Sequence, residues 1–358
     1  MLHVRTNPDN SYHVEPVPVF VPMINLKSLS EEDLFEFIKD NGLPQYRAKQ
    51  LLHRIYEKNV TGINQISEFS RDLRIKLAGQ AWISCLDLVT SEKSRDGTVK
   101  YLFELEDGER IESVLIPDGQ RLTLCISSQA GCAMGCRFCL TGKSGFRRNL
   151  KSYEIIDQVL SVNRFISPYK ITNIVFMGMG EPLMNLDNVS KAITIINKHV
   201  KISRRRITVS TAGVSPGIID LAQQAPLVNL AVSLNAPDDK TRSLIMPVNM
   251  KYGIDKLIQA CRNFPLPSRR RITFEYVLIR NLNDSQQHAE AACRILKGIP
   301  SKVNLIPFNP VPGIEFKRPD GSKVLAFQRV LLERRITAII RKSKGADISA
   351  ACGQLSGK

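Results

Sequence analysis

The hydrophobic periodicity changes along this chain, and each change predicts a different kind of structure. Residues 1–23 show no period: Pro16, Pro18 and Pro22 block helix and interior strand alike, so an irregular arm is expected there. From Ser28 the spacing turns helical. Ser30 followed by Glu31 and Glu32 reads as a helix start, and Tyr46 to Tyr56 place apolar residues every three or four positions, predicting a small helical domain over 24–80. Between Trp82 and Pro117 the period falls to two. Asp96-Gly97 and Asp107-Gly108 are hairpin turns between alternating segments, which predicts a β-meander over 81–120 leading into the main body.

From Leu122 onward, short apolar strands alternate with amphipathic helices, the pattern of a parallel sheet wrapped by helices. Strands are predicted at 122–127, 173–177, 206–210, 228–234, 272–279 and 303–308, and helices at 153–165, 188–198, 217–223, 254–263 and 285–296. Six βα units are too few to close an eight-stranded barrel. The expected fold is therefore α/β: an open, partial (β/α)6 barrel over 121–322, with active residues at the carboxyl ends of its strands. Residues 323–358 are expected to add a helix, a strand near 336–340 and a loop bearing Cys352.

Composition narrows the setting. At 358 residues the chain is long enough for this barrel and its appendages. It has no run of about 18 apolar residues, and the prolines and acids of its first twenty residues do not suit a signal peptide. A cytoplasmic monomer that makes no membrane contact is expected. Fifty Lys and Arg against 34 Asp and Glu give a net charge of +16, which favours a polyanionic partner such as nucleic acid over a merely soluble surface only if other features agree. Three of the eight cysteines fall within eight residues of one another, which points to thiolate ligands rather than disulfides.

Those three, Cys132, Cys136 and Cys139, crowd the loop after the first barrel strand. Three thiolates bind three irons of a [4Fe-4S] cubane and leave the fourth open, whereas structural zinc needs a full set of four donors. The open iron suits the amino and carboxylate groups of S-adenosylmethionine. The alternative is a non-catalytic, zinc-stabilised RNA-binding protein with Cys125 as fourth ligand, but Cys125 lies within a strand. The spacing, with Phe138 before the last cysteine, resembles the radical S-adenosylmethionine superfamily motif. Gly178 to Pro182 at the second strand's end resembles that superfamily's Gly-Glu-Pro turn, in which Gly180 allows close backbone approach and Glu181 accepts a hydrogen bond from an ammonium group. Ser210, Ser233, Leu234, Asn235 and Asn309 stand at or beside further strand ends and are candidate cofactor contacts.

Across nearly its whole length the chain resembles the bacterial RlmN/Cfr family of ribosomal and transfer RNA adenine methyltransferases. The resemblance rests on residues 111–117, 125–132, 178–182, 210–213, 304–310 and 350–355. It implies methylation of adenine C2 in 23S rRNA and beside the anticodon in tRNA. The same resemblance implies that two S-adenosylmethionine molecules are spent per turnover and that a donor such as flavodoxin or ferredoxin supplies the electron. Cys352 is implied as methyl carrier, Cys125 as the thiol that releases the product, and Glu112 as proton acceptor or substrate-positioning carboxylate, although pattern alone makes Glu112 a solvent-facing strand residue. A C8-specific enzyme of the same fold is the near alternative. The chain departs from the family where Asn235, not histidine, follows Ser233-Leu234. Lys143, Arg147, Arg148, Arg341, Lys342 and Lys344 flank the expected mouth and are candidates for phosphate contact, with Arg47, Lys49, Arg54 and Lys58 of the helical domain. Cys85, Cys261 and Cys293 are read as buried apolar residues.

Overall fold

A computed structural model describes residues 23–357, so the arm expected over 1–23 lies outside the described residues except for Met23. The amino-terminal domain begins with β1 (Ile24–Asn25) and α1 (Glu31–Asp40). Ser30 caps α1: its hydroxyl accepts the Asp33 N–H, and the Asp33 carboxylate accepts the Ser30 N–H in return. Next come α2 (Tyr46–Leu52), α3 (Arg71–Ala78) and β2 (Ala81–Trp82), which pairs in parallel with β1. Leu34, Ile38, Leu51, Ile55 and Phe69 bury the apolar stripe that the helical spacing predicts.

The meander is β3 (Asp87–Lys93), β4 (Val99–Glu104) and β5 (Arg110–Asp118), joined antiparallel to β6 (Arg121–Cys125). After β6, a two-stranded ribbon of β7 (Gln129–Gly131) and β8 (Phe146–Asn149) encloses α4 (Leu140–Ser144). Then follow α5 (Ser152–Phe165), β9 (Asn173–Phe176), α6 (Leu186–Ile195), β10 (Ile207–Thr211), α7 (Ser215–Gln224) and β11 (Asn229–Ser233). The chain continues through α8 (Asp239–Ile245), α9 (Ile254–Asn263), β12 (Ile272–Leu278), α10 (Gln286–Leu296), β13 (Ser301–Pro307), α11 (Gly321–Glu333) and β14 (Thr337–Ile340).

All of the strands from β3 onward except β7 and β8 form one ten-stranded sheet in the order β14-β13-β12-β11-β10-β9-β6-β5-β4-β3. The expected barrel strands are β6 and β9 to β13, paired in parallel. Two features extend the expectation. The tail strand β14 joins β13 in parallel register, Val303 against Ala338, so it is a further barrel strand; the meander likewise continues the same sheet beyond β6. Strand alternation divides the faces: Leu124, Val209, Leu230 and Phe274 are fully buried, while Cys125, Ser210, Ser233, Glu275 and Asn304 border an interior cavity. Among the described residues no helix is long and apolar enough to cross a membrane.

Candidate active site

The cysteine loop is shaped by backbone. Gly131 sits at φ +72°, and a Cβ there would stand 1.9 Å from the Gly145 carbonyl oxygen, so only glycine lets the β7–β8 ribbon close behind the cysteines. The Cys132 N–H donates to the Gly145 carbonyl at 2.9 Å, the Cys139 N–H to Cys136 at 3.1 Å, and the Arg137 N–H to Ile245 at 2.9 Å. All three cysteines border one cavity of about 440 Å³.

Burial, with Glu181 and Cys139 nearby, pushes the Cys132 thiol up to about 12, and burial pushes Cys136 well above its ordinary value. Among the described residues no group of three His, Cys, Asp or Glu closes around a point that would hold a single metal ion. A zinc ion needs four donors within about 2.3 Å of one centre. A cubane offers a different iron to each thiolate, so three thiols that border one cavity suit it. Bound iron would keep such buried thiols deprotonated.

The second strand end is equally constrained. Gly180 lies at φ +102°, with room for no side chain: a Cβ would fall 2.6 Å from Gln129 Cβ. Glu181 is buried, and its carboxylate accepts the Ala212 N–H at 2.6 Å and the Leu183 N–H at 3.1 Å. Burial outweighs these bonds and pushes the carboxyl up to about 7. Such a group, bordering the cavity, gains by meeting a cation.

Of the other sequence candidates, Ser210 and Ser233 border the cavity, and Leu234 does not; it is fully buried and its carbonyl accepts Arg242 Nε at 2.9 Å. Asn235 borders the cavity but its amide is already engaged: Oδ1 accepts the Val277 N–H at 2.8 Å and Nδ2 donates to Met246 Sδ at 3.1 Å. Its φ of +56° suits asparagine, which explains the residue without recourse to the cofactor. Asn309 is turned to the carboxyl-terminal loop, where Nδ2 donates to the Cys352 carbonyl at 3.3 Å.

Cys125, at the end of β6, and Cys352 border the same cavity as the three loop cysteines. Cys352 opens into that cavity, but the surrounding protein disfavours its thiolate, as do Cys139, Glu275 and Cys125; Arg341 opposes them. Burial likewise pushes Cys125 up to about 12. Glu112 corrects the pattern-based expectation: it is 1% exposed, not solvent-facing. It lies outside the cavity lining, and its Oε2 accepts the N–H groups of Ser356 at 2.7 Å and Gly357 at 3.0 Å. Lys100 Nζ stands 3.4 Å from its other oxygen.

Arg341, Lys342 and Lys344 border the cavity as the sequence suggested. Arg148 does not stand free for phosphate: it bridges Asp107 and Glu154. Arg54 is similarly paired with Glu68. Sequence reasoning missed Arg242, which is fully buried and donates to the carbonyls of Ala212 at 2.6 Å and Ser233 at 3.0 Å and to Asn249 at 2.9 Å. It ties together the ends of β10 and β11. The signal was weak, because α8 is only seven residues long.

Comparison with known proteins agrees with this geometry. The radical SAM superfamily profile matches residues 126–292, and the profile of the ribosomal RNA large subunit methyltransferase N-terminal domain matches residues 24–83. The chain is 49% identical over 336 residues to the dual-specificity RNA methyltransferase RlmN of Pelobacter propionicus, covering 93% of this chain and 96% of that protein. It is 50% identical over 338 residues to its counterpart from Geobacter sulfurreducens, covering 94% and 93%. A crystal structure of a radical SAM methyltransferase from Sphaerobacter thermophilus superimposes with a TM-score of 0.89 at 42% identity, covering 94% of this chain and all of that one.

Proposed function

Since this chain belongs to the RlmN family of dual-specificity RNA methyltransferases, we propose that it methylates C2 of an adenosine in 23S rRNA and of the adenosine 3′ to the anticodon in tRNA, with Cys352 as methyl carrier. The observation that carries this reading is that Cys125 and Cys352, which are 227 positions apart by subtraction of their numbers, border the same cavity as the three loop cysteines.

Cys132, Cys136 and Cys139 would hold the [4Fe-4S] cluster, and Glu181 would accept a hydrogen bond from the amino group of S-adenosylmethionine. When bound, the reduced cluster supplies the electron that cleaves the sulfonium and yields a 5′-deoxyadenosyl radical. Everything else falls to the chain's own side chains. Adenine C2 is electron-poor and does not attack a sulfonium methyl directly, so the carbon must be delivered by a carrier. Cys352 as thiolate takes a methyl group from a first S-adenosylmethionine, which leaves as S-adenosylhomocysteine. Its S-methyl group gives up a hydrogen atom during cleavage of a second molecule, and the resulting carbon radical adds to C2. The adduct would then give up its unpaired electron, which the oxidised cluster, when bound, can take back, and its C2 proton, which Cys125 accepts as thiolate. The Cys125 sulfur attacks that of Cys352, the carbon–sulfur bond breaks, and the freed carbon takes the Cys125 proton to become the methyl group, leaving a Cys125–Cys352 disulfide.

Of the roles the resemblance implies for Glu112, its contacts favour positioning: it fixes the segment after Cys352. We assign the protein to the cytoplasm as a monomer, reduced by a flavodoxin or ferredoxin. Mass analysis of digested rRNA from a deletion strain tests the assignment. Loss of 2-methyladenosine is expected; intact 2-methyladenosine with loss of an 8-methyl product would instead assign C8 chemistry.

A further inference from the structure

The hairpin turn between β3 and β4 takes no part in the reaction described above, yet it reaches the loop that carries Cys352. β3 is exposed along its whole length, so it adds little to the core, and an exposed edge strand is a liability that needs a reason. The turn supplies one. Asp96 Oδ2 accepts the Gly345 N–H at 3.0 Å while its Oδ1 accepts the Thr98 N–H at 2.9 Å. In the other direction, Asp347 accepts the Ser94 hydroxyl at 2.6 Å and the Arg95 N–H at 3.2 Å. Two carboxylates, one from each partner, thus cross-bond a turn and a loop about 250 residues apart.

Packing makes the join specific. Thr98 is fully buried, and a Cβ on Gly345 would stand 2.9 Å from Thr98 Cγ2 and 2.8 Å from Ala350 Cβ. Gly345 also lies at φ +65°, where other side chains are strained. The Ala350 N–H donates back to Gly345 at 2.9 Å, which closes a tight turn two residues before Cys352. Beyond Cys352, Leu140 N–H holds the Gly353 carbonyl at 2.8 Å and Glu112 holds Ser356 and Gly357. The loop is therefore gripped on both sides of its thiol. Burial opposes ionisation of Asp96, but its hydrogen bonds from Thr98 and Gly345 win and hold it at about 2, so the grip is a charged one at neutral pH.

We infer that the β3–β4 turn is a clasp for the Cys352 loop, with Asp96 and Asp347 as positioning residues that aim the thiol into the cavity. The inference rests on Cys352 being the methyl carrier. An interaction that sets the position of a reacting group acts on kcat rather than on substrate affinity.

The test uses the reconstituted holoenzyme and the variants Asp96→Ala, Asp347→Ala and Asp96→Asn. Iodoacetamide labelling of Cys352, followed by peptide mass analysis, is read against labelling of Cys293, which lies on α10 and is half-buried. Asp96→Ala and Asp347→Ala are expected to raise Cys352 labelling about tenfold with Cys293 unchanged, and to lower kcat about tenfold or more with KM for RNA within about twofold. Asp96→Asn, which keeps one acceptor, should fall between. Unchanged Cys352 labelling, or an equal rise at Cys293, overturns the clasp. Full methylation by Cys352→Ala would overturn the carrier reading instead, and the labelling result stands apart from it.

Discussion

Glu112 accepts the backbone N–H of Ser356 at 2.7 Å, so a carboxylate near the start of β5 fixes the chain four residues after Cys352. The same carboxylate faces Lys100 across the sheet, and both side chains are buried. Glu112→Gln puts a neutral amide against the buried ammonium. We expect it to lower stability by about 1–3 kcal/mol in chemical unfolding and to lower methylation about tenfold or more while RNA binding persists. Wild-type turnover in Glu112→Gln would remove this carboxylate from the account.

Iron content separates the two cysteine groups. Cys132→Ala, Cys136→Ala and Cys139→Ala should each lose most of the cluster, whereas Cys125→Ala and Cys352→Ala should keep about four irons per chain after anaerobic reconstitution. Iron and labile-sulfide assays with absorption spectra read this directly. A Cys125→Ala protein that loses its metal would make Cys125 a ligand and revive the four-thiol alternative.

Glu181 predicts a pH dependence. Its folded-state value of about 7 lies above the ordinary 4.5, so without ligand its contribution to stability is fully present below about 4.5 and is lost as pH rises through 7. Cofactor binding runs the other way, because an N–H donated by the cofactor's amino group favours the carboxylate. Affinity for S-adenosylmethionine should weaken by up to about tenfold per unit as pH falls below 7 and level off above it. Calorimetric titration from pH 5.5 to 8.5 measures it. Glu181→Gln should bind more weakly with no such slope, and a matching slope in that variant would assign the proton elsewhere.

Much of this was legible in the sequence because barrel strands and cysteine spacing are local signals. β9 through β13 fall within a residue or two of their apolar runs, which turn residues bound on both sides. β14 was legible as a strand but not as a barrel strand, since its partner β13 is fixed only by tertiary register. Pattern alone misplaces Glu112, because strand alternation sets it opposite the apolar Ile111, on a face expected to meet water. That face is instead covered by the chain's own carboxyl-terminal residues and Lys100, which no local pattern encodes. Asn235, which ends a strand and borders the cavity, also has a structural task that no local pattern shows: a left-handed backbone and a bond from the Val277 N–H. The clasp residue Asp96 was visible only as a hairpin turn, its second partner lying 249 residues away.

The central claim is that methyl carbon passes through Cys352 and that Cys125 releases it. The most direct measurement is mass analysis of the Cys125→Ala enzyme after reaction with S-adenosylmethionine, reductant and an RNA substrate. The account predicts a covalent protein–RNA species joined at Cys352 through one carbon, and none from Cys352→Ala. Free 2-methyladenosine produced by the Cys125→Ala enzyme at the wild-type rate, with no joined species, would contradict it.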